Sequence, residues 1–282
     1  MDLVTGAFGN VGAAIAAQLL ADGRSVRTLT SHPPGGPTPI EVHPFAWDDP
    51  AALASSFEGV ETFYDTYWMR LGPYDVAVDR CRQLAAAAEA AGVARIVHLS
   101  VVKPSLVSPY AYFRGKAEVE ASRASSPMPA AVIRPALIFG GDAALLHDLA
   151  RLLRRLPVFG LADGGGYRVR PVHVDDVAEL CLAAGATRER TVTDAVGPDR
   201  PTFRELVTEV RDAVGSTTRL VSLPAPIVLA AGRLLGRLQG QELLTGDELR
   251  STIDGLADAD GPATGTRSLS AWIREHAEEL GR

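Results

Sequence analysis

The chain has 282 residues, of which 46% are hydrophobic and 22% charged, with a formal net charge of −6. That is enough apolar sequence to build one large domain, or a domain with a lobe. The acidic balance, with a pI near 5.6, argues against a nucleic-acid surface but not against a phosphate-bearing small molecule, which needs only local donors.

Met1 to Thr5 (MDLVT) reads as a short first strand and runs into GAFGNVG. Ala13 to Leu20 then forms helix. Strand, glycine turn and helix is the layout that sets a pyrophosphate on a helix N-terminus. Gly6 permits the tight turn, Gly9 removes a Cβ from the path of phosphates, and Gly12 allows the helix to pack close to the strand. The spacing G-x-x-G-x-x-G, placed directly after a strand, predicts that Gly6, Ala7, Phe8, Gly9, Asn10, Val11 and Gly12 bind a dinucleotide. Ser25 to Thr30 reads as the second strand, followed by the Pro/Gly loop SHPPGGPTP. An acidic residue at the end of this strand would bind the ribose of NAD and repel the extra phosphate of NADP. The sequence carries Thr30, Ser31 and His32 there. The expectation is NADP in preference to NAD, although no arginine sits at 31 or 32 to grip the phosphate. Arg27 lies within the strand.

Ile40 to Phe45 reads as a third strand. Asp49 before Pro50 is a helix cap with proline in the first turn, and Asp48 is either a loop acid or a residue facing the adenine edge. Val60 to Tyr64 is a fourth strand, ending in YDTYWMR. Ligands of open parallel sheets lie beyond the carboxyl ends of the strands. Tyr64, Tyr67, Trp68 and Arg70 are therefore candidate walls of a nicotinamide or substrate pocket, the alternative being aromatics of core and surface. Val76 to Ala91 is a helix closed by Gly92, Arg95 to Leu99 the fifth strand, and Ala131 to Arg134 the sixth. Alternation of strand and helix predicts an α/β fold, a doubly wound parallel Rossmann sheet with a smaller C-terminal substrate-binding lobe. The expected division is 1–190 for the NAD(P)-binding domain, with lobe insertions near 141–172, and 191–282 for a mostly α lobe. In PVHVDDVAEL, Asp175 is read as the cap of a helix and Asp176 as a charge at its positive end. Ala225 to Leu238 is the longest apolar run, but Arg233 and Arg237 break it short of the roughly 20 residues a membrane span needs. It reads as a lid or dimer helix. Cys81 and Cys181 are far apart and outside metal-ligand spacing, so no metal is expected and both read as core thiols of a reducing compartment. With no signal segment before the first strand, the expectation is a soluble, cytoplasmic protein acting on a small molecule without membrane or nucleic-acid partners.

The second informative stretch is LSVVKPSLVSPYAYFRGKAEVE. Ser108 and Pro109 read as a helix cap and first-turn proline. Tyr112 and Lys116, four apart, share a helix face one turn from each other. An ammonium beside a phenol favours the phenolate and lowers its pKa from about 10, so the tyrosine can exchange a proton near neutral pH. Ser100, at the end of the preceding strand, could hold a carbonyl or alcohol oxygen.

Taken together, TGAFGNVG at 5–12, HLS at 98–100, Tyr112 and Lys116, IRPALIFGG at 133–141 and PVHVDDVA at 171–178 resemble the short-chain dehydrogenase/reductase superfamily, in its extended or atypical type, and among its members the NmrA-like, epimerase-like and complex I accessory-subunit kinds. The resemblance covers roughly the first two-thirds of the chain. It implies a Rossmann fold, NAD or NADP, and a Ser-Tyr-Lys site. Tyr112 would be the acid/base, Lys116 would bind the nicotinamide ribose, and Ser100, Ser105 or Ser108 would hold the substrate oxygen. Leu99, Pro135 and Ile138 would lie by the nicotinamide. The asparagine usual on the helix before the fifth strand has no counterpart here. The implied activity is hydride transfer to or from a small carbonyl or alcohol. Epimerases and dehydratases use the same parts, and some members bind the cofactor as non-catalytic regulatory or scaffold proteins. A homodimer would also be in keeping with the family.

Overall fold

A computed structural model describes residues 1–69, 72–239 and 245–281. The elements run β1 (Asp2–Val4), α1 (Asn10–Ala21), β2 (Val26–Leu29), β3 (Glu41–His43), α2 (Pro50–Ser55), β4 (Thr62–Asp65), α3 (Tyr74–Ala90), β5 (Arg95–Leu99), α4 (Ala111–Ser125) and β6 (Ala130–Pro135). They continue with β7 (Ile138–Phe139), α5 (Ala144–Arg155), β8 (Val158–Ala162), β9 (Val172–His173), α6 (Val174–Gly185) and β10 (Thr191–Ala195). The last are α7 (Phe203–Ala213), β11 (Arg219–Leu223), α8 (Ala225–Gln239), α9 (Gly246–Ile253) and α10 (Leu269–Glu275).

Two units divide these elements. The first comprises residues 1–135 and 174–195. Its seven strands lie in the order β10-β6-β5-β4-β1-β2-β3, and every pair is parallel. The order reverses at β1, the switch point where open α/β sheets bind ligands. β10 completes one sheet edge, so this unit extends to Ala195. Helices α1 and α6 cover one face and α2, α3 and α4 the other. Side chains alternate between those faces along each strand. Phe63 and Ile96 thus belong to a core with Leu53, Phe57 and Leu84, whereas Tyr64 turns to the face under α6, where its hydroxyl fills the space that a Cβ on Gly185 would occupy.

Three threonines pin the first turn. Thr28 Oγ1 donates to the Val4 carbonyl at 2.7 Å and accepts from Ala7 N. Thr66 N donates to Thr5 Oγ1 at 2.9 Å, and Thr66 Oγ1 donates to the Thr5 carbonyl. Gly6 has a φ of +63°, and a Cβ at Gly12 would lie 2.1 Å from the Gly6 carbonyl oxygen.

Two expected helix starts are corrected. α4 begins at Ala111, not at Pro109: Ser108 Oγ accepts from Tyr110 N, a local side-chain turn that ends before the helix. α6 begins at Val174, so Asp175 stands inside the first turn beside Asp176 and is not the cap. Asp49 does cap α2, accepting from Ala51 N and Ala52 N.

The second unit comprises 136–173 and the residues from 196 on. β8 pairs with β11 and β7 with β9, both parallel. α5, α7 and α10 enclose Leu146, Leu149, Leu206, Val210 and Ile273. α7 and α9 each open with a capping box, Thr202 with Glu205 and Thr245 with Glu248. Among the described residues no helix is long and apolar enough to cross a membrane.

The glycine turn separates two kinds of requirement. Gly12→Ala must displace backbone, and a loss of about 3 kcal/mol is expected in urea unfolding. At Gly9 the φ is −96° and a Cβ would meet only the Gly6 carbonyl, at 3.4 Å. Gly9→Ala is therefore expected to leave stability within about 0.5 kcal/mol of wild type, and a comparable loss in both variants would contradict this account.

Candidate active site

Lys116 organises the carboxyl end of β5. It is only 3% exposed. Its Nζ donates to the Leu99 carbonyl at 2.8 Å and lies 4.1 Å from the centre of the Trp68 ring. Burial pushes its pKa down to about 8, against the opposing pull of Cys81, Asp65 and Glu120. Tyr112, one turn earlier on α4, is half-buried. Its ring stands edge-on to Trp68 at 5.7 Å and to Tyr74 at 5.9 Å, while Trp68 and Tyr74 stack on each other. The spacing of four residues thus brings phenol and ammonium against one indole.

The three candidate serines differ. Ser105 Oγ accepts from Val107 N and Ser108 Oγ from Tyr110 N, both local turns. Ser100 Oγ is buried with no hydrogen-bond partner, one residue beyond the carbonyl that holds Lys116. A buried hydroxyl without a partner is costly unless something else supplies one.

The glycine segment opens α1 with Gly9 at the cap and no side chain satisfying the first amides. Ala7 is buried and Phe8 is 37% exposed. Thr30, Ser31 and His32 follow β2, where Thr30 Oγ1 accepts from His32 N. Arg27 is committed elsewhere: it forms a two-pronged pair with Glu41 and donates to the Ser56 and Glu58 carbonyls. Asp48 is exposed on the turn before α2. Pro135 ends β6, its carbonyl accepting from Val102 N. Ile138 stands on β7 in the second unit.

Of the aromatic wall, Trp68 reaches Tyr112 and Lys116. Tyr67 packs edge-on to Phe45 and Trp47. Tyr64 is a correction: at 1% exposure under α6 it belongs to the core, and burial raises its phenol pKa. Arg70 lies outside the described residues.

A cluster that sequence reasoning passed over lies behind Lys116. Asp65 Oδ2 accepts from His98 Nδ1 at 2.8 Å and from Arg123 Nη2 at 3.0 Å, and the same Nη2 donates to the Cys81 carbonyl. All three side chains are buried. Burial alone would raise the Asp65 carboxyl, but the His98 hydrogen bond and the Arg123 charge outweigh it and hold the pKa at about 2. Burial lowers His98, and it pushes the Cys81 thiol up to about 12. The one signal in the sequence was a lone histidine inside the apolar run RIVHL.

No protein-family model matches the chain. The ceramide reductase of Caulobacter vibrioides is 32% identical over 254 residues, 82% of this chain and 76% of that protein. The chain belongs to the short-chain dehydrogenase/reductase superfamily, in its extended branch. Another member of the comparison is subunit 9 of the NADH dehydrogenase [ubiquinone] 1 alpha subcomplex from Arabidopsis thaliana. It is 30% identical over 148 residues, and the match spans 51% of this chain but only 37% of that protein. Among solved structures, an NADPH-dependent quinone oxidoreductase of Escherichia coli, complexed with NADPH, superposes with a TM-score of 0.80. The match covers 100% of both chains at 21% identity. The α/β Rossmann fold observed here is thus shared with that solved structure.

The buried ammonium has a consequence for stability. The folded pKa of Lys116, about 8, lies below the unfolded value. Between the two, the unfolded chain holds more protons, so this group's contribution to stability rises with pH across that window. Below it the buried charge costs roughly 3 kcal/mol. Lys116→Met is therefore expected to stabilise the protein at pH 7 by roughly 1–3 kcal/mol in urea unfolding, with the gain shrinking toward pH 10.5.

Proposed function

We propose that this protein is an NADPH-dependent reductase of a small, apolar carbonyl compound. The observation that carries the reading is the Lys116 ammonium on the Leu99 carbonyl, with Tyr112 one helical turn away and the unpartnered Ser100 hydroxyl on the residue after Leu99. The glycine turn fits a dinucleotide. Gly9 has an ordinary φ, and a Cβ there would meet only the Gly6 carbonyl at 3.4 Å, so the fold itself makes little demand for glycine there. A bare backbone at an uncapped helix start suits a pyrophosphate. No carboxylate follows β2 at Thr30, Ser31 or His32 to repel a 2′-phosphate, which supports NADPH over NADH.

Bound NADPH would supply the hydride. Ser100 Oγ–H would donate to the carbonyl oxygen and orient it. Tyr112 would give its phenolic proton to that oxygen as charge develops, and Lys116 would stabilise the phenolate left behind while binding the ribose. Trp68, Tyr74 and Phe113 around Tyr112 favour an apolar substrate body. The name of the Caulobacter relative, a reductase, lends further support. Epimerases and dehydratases would use the same groups with a transient oxidation.

The test has two stages. Calorimetry should give tighter binding of NADPH than of NADH, with Gly9→Ala weakening NADPH by about tenfold or more through the blocked phosphate path. On a carbonyl panel, Tyr112→Phe should keep NADPH affinity and lose about 10²–10⁴-fold in turnover. Binding without turnover of any carbonyl by wild type would turn the reading toward a cofactor-binding regulatory or scaffold role. Absence of nucleotide binding would end it.

A further inference from the structure

Groups facing Lys116 come from each neighbouring element: Asp65 on β4, Cys81 on α3, His98 on β5, and Glu120 and Arg123 on α4. Glu120 is taken by Arg134, which grips both its oxygens. Cys81 is a neutral thiol and His98 a neutral imidazole whose Nδ1 donates to Asp65. Asp65 is taken by Arg123 at 3.0 Å. Among the described residues no carboxylate lies within ion-pair distance of Lys116 Nζ, whose hydrogen bond goes to a carbonyl. The charges therefore pair off and leave Lys116 as the surplus cation.

We propose that Asp65 and Arg123 are positioning residues for the Tyr112–Lys116 pair: Arg123 binds the Asp65 carboxylate, so Lys116 keeps a buried positive charge that no carboxylate among the described residues pairs with. The inference rests on the role given to Lys116 above. Each member of the cluster is needed for a separate reason. With Asp65 present and Arg123 absent, the carboxylate would neutralise Lys116 and remove the charge from the phenol. With Arg123 present and Asp65 absent, two cations would face each other out of water, and Lys116 would lose its proton. His98 fixes the carboxylate from β5. Its residue number is two short of Ser100, so both side chains stand on the α4 face of the sheet. On α4, Tyr112, Lys116 and Arg123 fall at intervals of four and seven residues, which is one stripe of the helix. The two rows run side by side, with the ion pair toward one end and Tyr112 and Ser100 toward the other.

The composition offers a direct readout, because the chain has only two lysines, Lys103 and Lys116. Protein labelled with [13Cε]-lysine would be titrated by NMR as the full chain, without cofactor. In wild type the Lys116 resonance should titrate near 8, below the ordinary lysine value. Asp65→Asn should lower the Lys116 midpoint by about one pH unit, and Arg123→Met should raise it by a similar amount. Arg123→Lys, which keeps the charge and adds one new resonance, should restore the midpoint to within about 0.3. The Tyr112 phenol midpoint, read with [13Cζ]-tyrosine and assigned through Tyr112→Phe, should rise in both Asp65→Asn and Arg123→Met, because each takes the ammonium's effect away from the phenol.

A purely structural cluster behaves differently. Loosening would let water reach Lys116 and raise its midpoint in both variants, so an upward shift with Asp65→Asn overturns the inference. An unchanged midpoint in both variants overturns it as well, as does a wild-type midpoint at the ordinary lysine value. If Arg123→Met fails to fold, the downward shift with Asp65→Asn decides alone. The titration does not depend on nucleotide binding or on turnover, so its outcome and that of the calorimetry and carbonyl panel are independent.

Discussion

A lysine ammonium held out of water by a backbone carbonyl and an indole face, with no carboxylate of the described residues against it, is the constraint from which the first unit is best understood. Such a charge is unfavourable by itself. It persists because its surroundings are fixed by elements that cannot easily move. Leu99 ends a central strand with neighbours on both sides. Trp68 is clamped between Tyr74 and α4, where its ring lies 3.1 Å from the position a Cβ on Gly115 would take. Larger residues at 115 would push the indole away and open Lys116 to solvent. The small residue on the helix, the aromatic on the loop and the carbonyl on the strand together keep the ammonium where a hydrated lysine would not stay. This arrangement works against stability, and in the function proposed above it would serve charge placement.

How much of this was legible in the sequence depended on how local each feature is. The glycine turn was readable because its requirements fall within seven residues, and the contact between Gly12 and the Gly6 carbonyl is set by that spacing alone. The meeting of Tyr112 and Lys116 on one helix face follows from the helical period. β5 was readable to the residue, since Gly92 and the polar Ser100 bracket an apolar run. The beginning of α4 was misread because Ser108 before Pro109 satisfies the usual pattern for a cap, yet its hydroxyl found a nearer amide at Tyr110. Tyr64 was misplaced for another reason. Its position at a strand end says that it is near the ligand side of the sheet, but the face it points to is set by register with β1 and β5. A shift of one residue separates a core tyrosine from the buried Asp65. The Asp65–His98–Arg123 cluster joins residues 33 and 58 apart, and no local pattern announces such a contact.

The same cluster bears on the missing asparagine of α3. That helix turns Cys81 toward the site instead, and Cys81 is a neutral thiol whose carbonyl takes an Arg123 hydrogen bond. A neutral amide could carry a hydrogen bond between backbone and water, but it could not alter the charge balance around Lys116. A buried carboxylate and guanidinium can do so, and in opposite senses. The polar work on this side of the sheet is therefore done by an ion pair reaching from β4 to α4 rather than by an amide on α3. The ion pair also ties the sheet to α4 through the 3.0 Å bond from Arg123, while the 2.8 Å bond from His98 to the same oxygen ties β4 to β5. In the proposal above, geometry and electrostatics at Tyr112 would be set by the same two residues, so a substitution that spares the fold but changes the charge is the one that separates them.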